Sequence, residues 1–311
     1  MTSTTMRALI GGSGAPRLVE VPVPQAGRRQ VRIRVAAAGV NPFDLAVAAG
    51  TLADYGVARR LDSYGLGFDV AGTVDQAGDG AGFLVGEEVI GLAARLELPV
   101  KAQAEYVVLD AEAVARAPRG FTAVQAATIP LNSLTAWQAL DRAGGRPGRT
   151  LLVTGAAGAV GGYLVELAAL RGVRVVALAG AGDEELIRGL GAEWFVARGE
   201  DVASAVREHV PGGVDAVVDA AVLGLAALDA VRDGGTFVAL TAGVAPVGLR
   251  GIDVGTVFFR ADAAQLGEAV RLVEAGRLTL RVAEEYPLEK AADAHARLAA
   301  GGIRGRLVLI P

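Results

Sequence analysis

The stretch Leu151 to Ala168, "LLVTGAAGAVGGYLVELA", constrains this chain more than any other. It opens as an apolar strand and closes as an apolar helix that starts near Ala159, and glycines carry the chain from one to the other. Its apolar length, about twenty residues, is that of a membrane span. Glu166 and the central glycines argue against that reading, as do the strand and helix patterns that follow at short intervals, so no membrane role is expected. Two readings remain: a tight turn between buried elements, or a loop that holds phosphate.

The residues that follow decide the fold class. Apolar runs "VRVVALAG", "EWFVA", "VDAVVDAA" and "GTFVALTAG" alternate with helical patterns in "DEELIRGLG", "DVASAVREHV" and around "LAALDAVRDG". Strands alternating with helices predict a parallel sheet covered on both faces. From Met6 to about Val124 the rhythm differs: runs such as "VRIRVAAAG", "FDVAGTV" and "EEVIGL" are short, β-rich and closely punctuated by turn residues. "AVQAATIPLNSLTAWQALDRAG" is helical on both sides of Pro130, which should break or kink it. The tail supplies two amphipathic helices and a closing strand, "GRLVLI". There is no internal repeat and no low-complexity linker.

The 311 residues suffice for about two domains with cores of their own, and 52% hydrophobic with 21% charged residues excludes general disorder. A net charge of −4, with Lys101 and Lys290 the only lysines and no long basic run, gives a nucleic-acid role no electrostatic support. The absence of Cys and the presence of only His209 and His295 exclude thiolate and His-rich zinc sites, so no metal is expected. "MTSTTMRALI" has no basic segment followed by a long apolar run, and a cytoplasmic location is expected.

In the glycine loop, Gly158 and Gly161 fit the second and third glycines of a dinucleotide fingerprint, while Ala156 replaces the first and Gly155 precedes it. Gly158 would let the backbone approach a pyrophosphate, Gly161 would let the helix press on the strand, and the helix N-terminus offers N–H groups to the anion. The cofactor contacts expected here are Thr154, Gly155, Ala156, Ala157, Gly158, Ala159, Val160 and Gly161. The next strand ends in Gly180, not in the acidic residue that would select NAD, and Asp183 and Glu184 arrive late. A 2′-phosphate would fit there, with Arg198 as its positive partner or as a solvated loop residue; NADPH is the expected cofactor. "YPLEK" places Tyr286 and Lys290 at the spacing of the catalytic pair of short-chain dehydrogenases. Pro287 follows the Tyr directly and no serine follows Ser204, so a strand-to-helix junction is the better reading.

The order of motifs along nearly the whole chain resembles the medium-chain dehydrogenase/reductase superfamily, in its zinc-independent, quinone oxidoreductase-like (zeta-crystallin type) branch. The resemblance runs through "GVNPFDLAVAAG", "GFDVAGTV", "GEEVIGL", "AEYVVL", "AATIPLNSLTAWQAL", "LLVTGAAGAVG", "GGVDAVVDA", "GGTFVAL" and "RGRLVLI". It implies an α/β protein in two parts: a GroES-like β-barrel catalytic domain over 1–124 and 263–311, and a Rossmann domain with a doubly wound parallel sheet over 125–262. It also implies NADPH-dependent reduction of a quinone or an α,β-unsaturated carbonyl compound, and a homodimer. Asn41 stands where zinc-dependent relatives carry Cys. By similarity Asn41 and Thr135 face the nicotinamide and its ribose, while Thr241, Ala242, Gly243 and Phe258 present groups to the carboxamide. Asn41 could instead cap a turn before Pro42, and Thr135 could bond its own helix.

Some quinone reductases of this type carry a Tyr shortly after the Asn, where this chain has Asp44, Leu45, Ala46 and Val47. Tyr55 and Tyr64, in the following loop, are either candidates for the substrate pocket or surface aromatics, and water is the other source of a proton. His295 lies far along the chain from these motifs and reads as a structural helix residue; Asp215 and Asp219 should organise the ends of an apolar strand. The competing class is a dinucleotide-binding sensor or structural protein with little catalysis, and a tailoring reductase of secondary metabolism would share the mechanism.

Overall fold

The computed structural model describes residues 4–12, 15–54, 56 and 59–311. The chain divides into two compact units, Met1–Leu131 with Arg260–Pro311, and Asn132–Phe259. In chain order the first unit begins with β1 (Thr5–Gly11), β2 (Arg17–Pro22), β3 (Gln30–Val40), helices α1 (Pro42–Ala48) and α2 (Thr51–Asp54), then β4 (Tyr64–Gly65), β5 (Asp69–Ala77), β6 (Glu88–Leu92), β7 (Tyr106–Asp110), β8 (Val114–Arg116) and α3 (Ala123–Ala126). Helix α4 (Pro130–Arg142) starts at Pro130, where the missing N–H costs nothing. The second unit continues with β9 (Thr150–Thr154), α5 (Ala159–Leu170), β10 (Arg174–Ala179), α6 (Glu184–Gly189), β11 (Trp194–Ala197), α7 (Val202–His209), β12 (Val214–Asp219), α8 (Leu225–Leu228), β13 (Val231–Ala239) and β14 (Asp253–Thr256). The chain then returns to the first unit with α9 (Ala263–Glu274), β15 (Val282–Pro287), α10 (Ala291–Ala299) and β16 (Arg306–Ile310).

The first unit holds a sheet of order β15-β16-β3-β5-β6-β8, with β7 paired to β3, and a small sheet β2-β1-β4. Strand β3 shows why its run folds as a strand: Val31, Ile33 and Val35 are buried while Arg32 and Arg34 point the other way. The first unit includes α3 and runs to Leu131, whose N–H donates to Asp69 of β5.

The second unit is one six-stranded sheet of order β11-β10-β9-β12-β13-β14, parallel throughout. Its central strand β9 is buried along its whole length, as a strand covered on both faces must be. The expected helix around "LAALDAVRDG" is shorter than its pattern. Helix α8 ends at Leu228 and β13 already begins at Val231, paired with Val214 across a register shift. The turn-like Asp233-Gly234-Gly235 lies inside this strand as an irregularity, with Gly234 at φ +65°. Among the described residues no helix is long and apolar enough to cross a membrane.

Candidate active site

In the second unit the expected cofactor contacts collect along one edge. The glycine loop follows β9, Gly180 follows β10, Arg198 follows β11, Thr241 to Gly243 follow β13, and Phe258 follows β14. These are the carboxyl ends of parallel strands, and the strand order reverses between β9 and β12, where this class of sheet opens a ligand crevice. The loop is shaped for close approach. Gly155 takes φ +62°, its carbonyl accepts from the Gly158 N–H at 2.9 Å, and α5 begins at the next residue. A Cβ on Gly161 would lie 2.2 Å from the Gly155 carbonyl oxygen, so only glycine lets α5 seat against the turn. The first N–H groups of α5 have no intrahelical acceptor and face the loop's end with the positive pole of the helix.

Side chains brace this edge. Thr154 Oγ1 donates to Asp219 at 2.6 Å and accepts from the Ala221 N–H, while Asp219 also accepts from the Leu223 and Gly224 N–H groups. Thr154 thus ties the ends of β9 and β12 together through its side chain. At the other end of the strand, Asp215 accepts from the Thr150 backbone and hydroxyl and from Arg232. Arg198 is exposed, and its N–H donates to the Ala179 carbonyl at 2.7 Å, which places it beside the end of β10 and Gly180. Asp183 is buried and its carboxylate turns toward Gly180, closer than its late place in the sequence suggested. Phe258 is 54% exposed, and Thr135 is buried on α4.

In the first unit Asn41 closes β3 and caps α1 from a fully buried position. Its Nδ2 donates to Asp69 at 2.9 Å and to Asp44 at 3.3 Å, and its backbone N–H donates to Asp44 at 2.8 Å. Two carboxylates therefore fix the orientation of the carboxamide and leave Oδ1 buried without a partner among the described residues. Asp69 also accepts from Arg306 at 2.5 Å and from the Leu131 N–H, and Asp44 accepts from the Gly67 N–H at 2.9 Å. Burial pushes the Asp69 carboxyl up, against the pull of Arg306, the Leu131 N–H and Asn41. The described contacts of both carboxylates come from donors.

His295 is a helix residue, as read from the sequence, and it also joins the surroundings of Asn41. On α10 it is buried, its Nε2 meets Gln103 Oε1 at 3.0 Å, and Gln103 Nε2 donates to the Gly39 carbonyl two residues before Asn41. Burial lowers its pKa, against the opposing field of Asp44. Asp44, Asp69, Lys101, Gln103 and Arg306 were not foreseen as neighbours of Asn41; the one available signal was an acidic and a basic residue within otherwise apolar strands. Tyr64 is also placed differently from expectation: it is buried, and its hydroxyl donates to the Arg59 carbonyl and accepts from the Leu61 N–H, so it is committed to its own loop. Tyr55 lies outside the described residues. Tyr286 ends β15 and donates to Glu284, and Lys290 closes the short turn before α10, at the strand-to-helix junction.

A glycine turn opening a helix after the central strand of a parallel sheet in this order defines a dinucleotide-binding dehydrogenase fold. Residues 27–119 match the alcohol dehydrogenase GroES-like domain family, and residues 190–309 match the zinc-binding dehydrogenase family. The chain is 30% identical over 309 residues to 2-methylene-furan-3-one reductase of Solanum lycopersicum, across 94% of this chain and 74% of that protein. The quinone oxidoreductase from Coxiella burnetii superposes with a TM-score of 0.86 at 27% identity, covering 99% of each chain. Mycobacterial Rv1454c complexed with NADPH gives 0.83 at 29% identity, over 98% of this chain and 100% of that one. Two of the curated relatives that it matches are much longer proteins, of which it spans 8% and 14%. The chain belongs to the medium-chain dehydrogenase/reductase superfamily, and within it to the oxidoreductases related to quinone and enone reductases.

Proposed function

We propose that the protein is an NADPH-dependent, zinc-independent reductase acting on a quinone or on a carbon–carbon double bond conjugated to a carbonyl. The observation that carries this reading is the gathering of the glycine turn, Gly180, Arg198, Thr241 to Gly243 and Phe258 on the carboxyl edge of one parallel sheet. The NADPH complex of a structural neighbour and the reductase and quinone oxidoreductase names of relatives support it.

The backbone from Thr154 to Gly161 and the N-terminus of α5 would hold the pyrophosphate, with Gly161 the position that admits no Cβ. Arg198 beside Gly180 would take the 2′-phosphate. Asn41, with its amide oriented by two carboxylates, and Thr135 would meet the nicotinamide and its ribose, and Thr241, Ala242, Gly243 and Phe258 the carboxamide. When bound, NADPH supplies a hydride; the protein's part is to position the acceptor and keep water away. With Tyr64 committed to its loop, Tyr55 and water are the proton sources that this reading keeps. Zinc independence rests on the donor set: Asn41 is a poor zinc ligand, and among the described residues no group of three or more His, Cys, Asp or Glu could hold a metal ion.

The test is calorimetric titration with NADPH and NADH in parallel, followed by NADPH oxidation with a panel of quinones and enones. Preferential NADPH binding with turnover is expected. Absence of binding would reduce the glycines to a turn, and binding without turnover on any acceptor would favour a sensor.

A further inference from the structure

Lys101 lies just before Gln103 in the buried cluster around Asn41 and is 1% exposed. Its Nζ has no hydrogen-bond partner and no carboxylate within ion-pair distance among the described residues. Instead it stands 3.1 Å from the centroid of the Phe68 ring, whose edge-on neighbour is Phe43. Two buried carboxylates serve Asn41. Asp69 is matched by Arg306, whereas Asp44 is held only by neutral donors, the Asn41 backbone and amide and the Gly67 N–H. Among the described residues, Lys101 is a buried cation on which the charge of Asp44 acts and which has no ion pair of its own.

The groups facing this amine are Asp44 on α1 and Glu97 in the loop before it. His295 on α10 also feels the charge of Asp44, and the Asp69–Arg306 pair joins β5 to β16. Burial pushes the Lys101 amine down to about 7, against the pull of Asp44 and Glu97. His295 is pushed toward neutrality by burial and supplies no second positive charge.

We infer that Lys101 is a positioning residue that sets the net charge beside Asn41 and thereby the preference of the site for reduced or oxidised nicotinamide. An ammonium at Lys101 makes the buried set one charge more positive than a neutral amine does, beside Asp44. Reduced and oxidised nicotinamide differ by one positive charge on the ring. The state of Lys101 therefore alters the affinity for the oxidised form and hardly touches that for the reduced form. This rests on the reading that Asn41 faces the nicotinamide. Linkage makes the effect reciprocal: the oxidised cofactor must lower the titration midpoint of Lys101 relative to the reduced one.

The chain contains only two lysines, Lys101 and the exposed Lys290, so protein labelled with carbon-13 lysine reports each amine separately. The experiment follows both through pH in the complexes with NADPH and with NADP+. The Lys101 midpoint is expected to be about one pH unit lower with NADP+, the equivalent of an about tenfold change in relative affinity, while Lys290 stays put. In Lys101→Met, the ratio of NADP+ to NADPH affinity should lose its pH dependence and sit at the wild type's alkaline value. Equal Lys101 midpoints in the two complexes would overturn the inference and leave the reductase reading standing. If neither cofactor binds, the dinucleotide reading falls and takes this inference with it. The labelled wild-type protein answers the question even if the Met variant does not fold.

Discussion

Replacing Gly161 with Ala adds one methyl group to the tightest point of the dinucleotide loop. The new Cβ would lie 2.2 Å from the Gly155 carbonyl oxygen, 2.7 Å from the Ala156 Cα and 2.9 Å from the Gly155 carbonyl carbon. All three are backbone atoms, so no side chain can rotate away, and α5 must back off from the turn by roughly 1 Å to restore a normal contact. Overpacking of this kind costs about 1–3 kcal/mol. Alanine's better helix propensity returns about 1 kcal/mol, leaving a net loss of up to about 2 kcal/mol. The same shift carries the first N–H groups of α5 away from the phosphate position, and NADPH affinity should fall at least about tenfold. Gly189→Ala makes the same chemical change on α6, where a Cβ meets nothing within 4 Å, and should leave NADPH binding unchanged and stability equal or higher by up to about 1 kcal/mol. Urea denaturation and calorimetric NADPH titration of the two variants supply the comparison. A Gly161→Ala protein as stable and as tightly binding as Gly189→Ala would refute the reasoning.

Arg198→Ala should weaken NADPH binding about tenfold and leave NADH unchanged, because only the former carries the phosphate that the guanidinium would meet; equal losses for both cofactors would return Arg198 to the solvent. Arg306→Met leaves Asp69 buried and unbalanced, and urea denaturation should register a loss of about 3–5 kcal/mol, with a loss below about 1 kcal/mol arguing that Asp69 is protonated. Lys101 also makes a prediction about stability alone. With its amine at about 7 when folded and near the ordinary lysine range when unfolded, the unfolded chain holds the extra proton between those values, so stability rises with pH across that window. Lys101→Met should remove that part of the rise, measured as the difference in urea midpoint between about pH 7 and about pH 9.

The parallel sheet was legible because each of its strands is an apolar run bounded by turn residues, and because helices of regular period separate them. The same rule failed at β13, where Asp233-Gly234-Gly235 reads as a turn but is accommodated inside a strand by the pairing of Val231 with Val214. The glycine loop could be read because its chemistry is local, within eight residues. The cluster around Asn41 could not, since its members come from β3, α1, β5, the strand-poor stretch around Lys101, α10 and β16, and no local pattern records that they meet. His295 shows this best: 254 positions separate it from Asn41, yet Gln103 links it to Gly39. Tyr64 erred in the opposite sense, as a turn-region aromatic that spends its hydroxyl on its own loop.

The return of the chain to the first unit has a consequence for how the protein is made. Strand β16 fills the place between β15 and β3, and Arg306 reaches Asp69 across 237 residues of sequence. A ribosome therefore releases Asp69, β3 and β5 long before their partners exist, while every strand of the six-stranded sheet is contiguous and can assemble as it emerges. The part written second is free to fold first, and the part written first stays open along β3 until the last strand is delivered. Loss of β16 would thus strike hardest at β3 and Asp69, far earlier in the sequence.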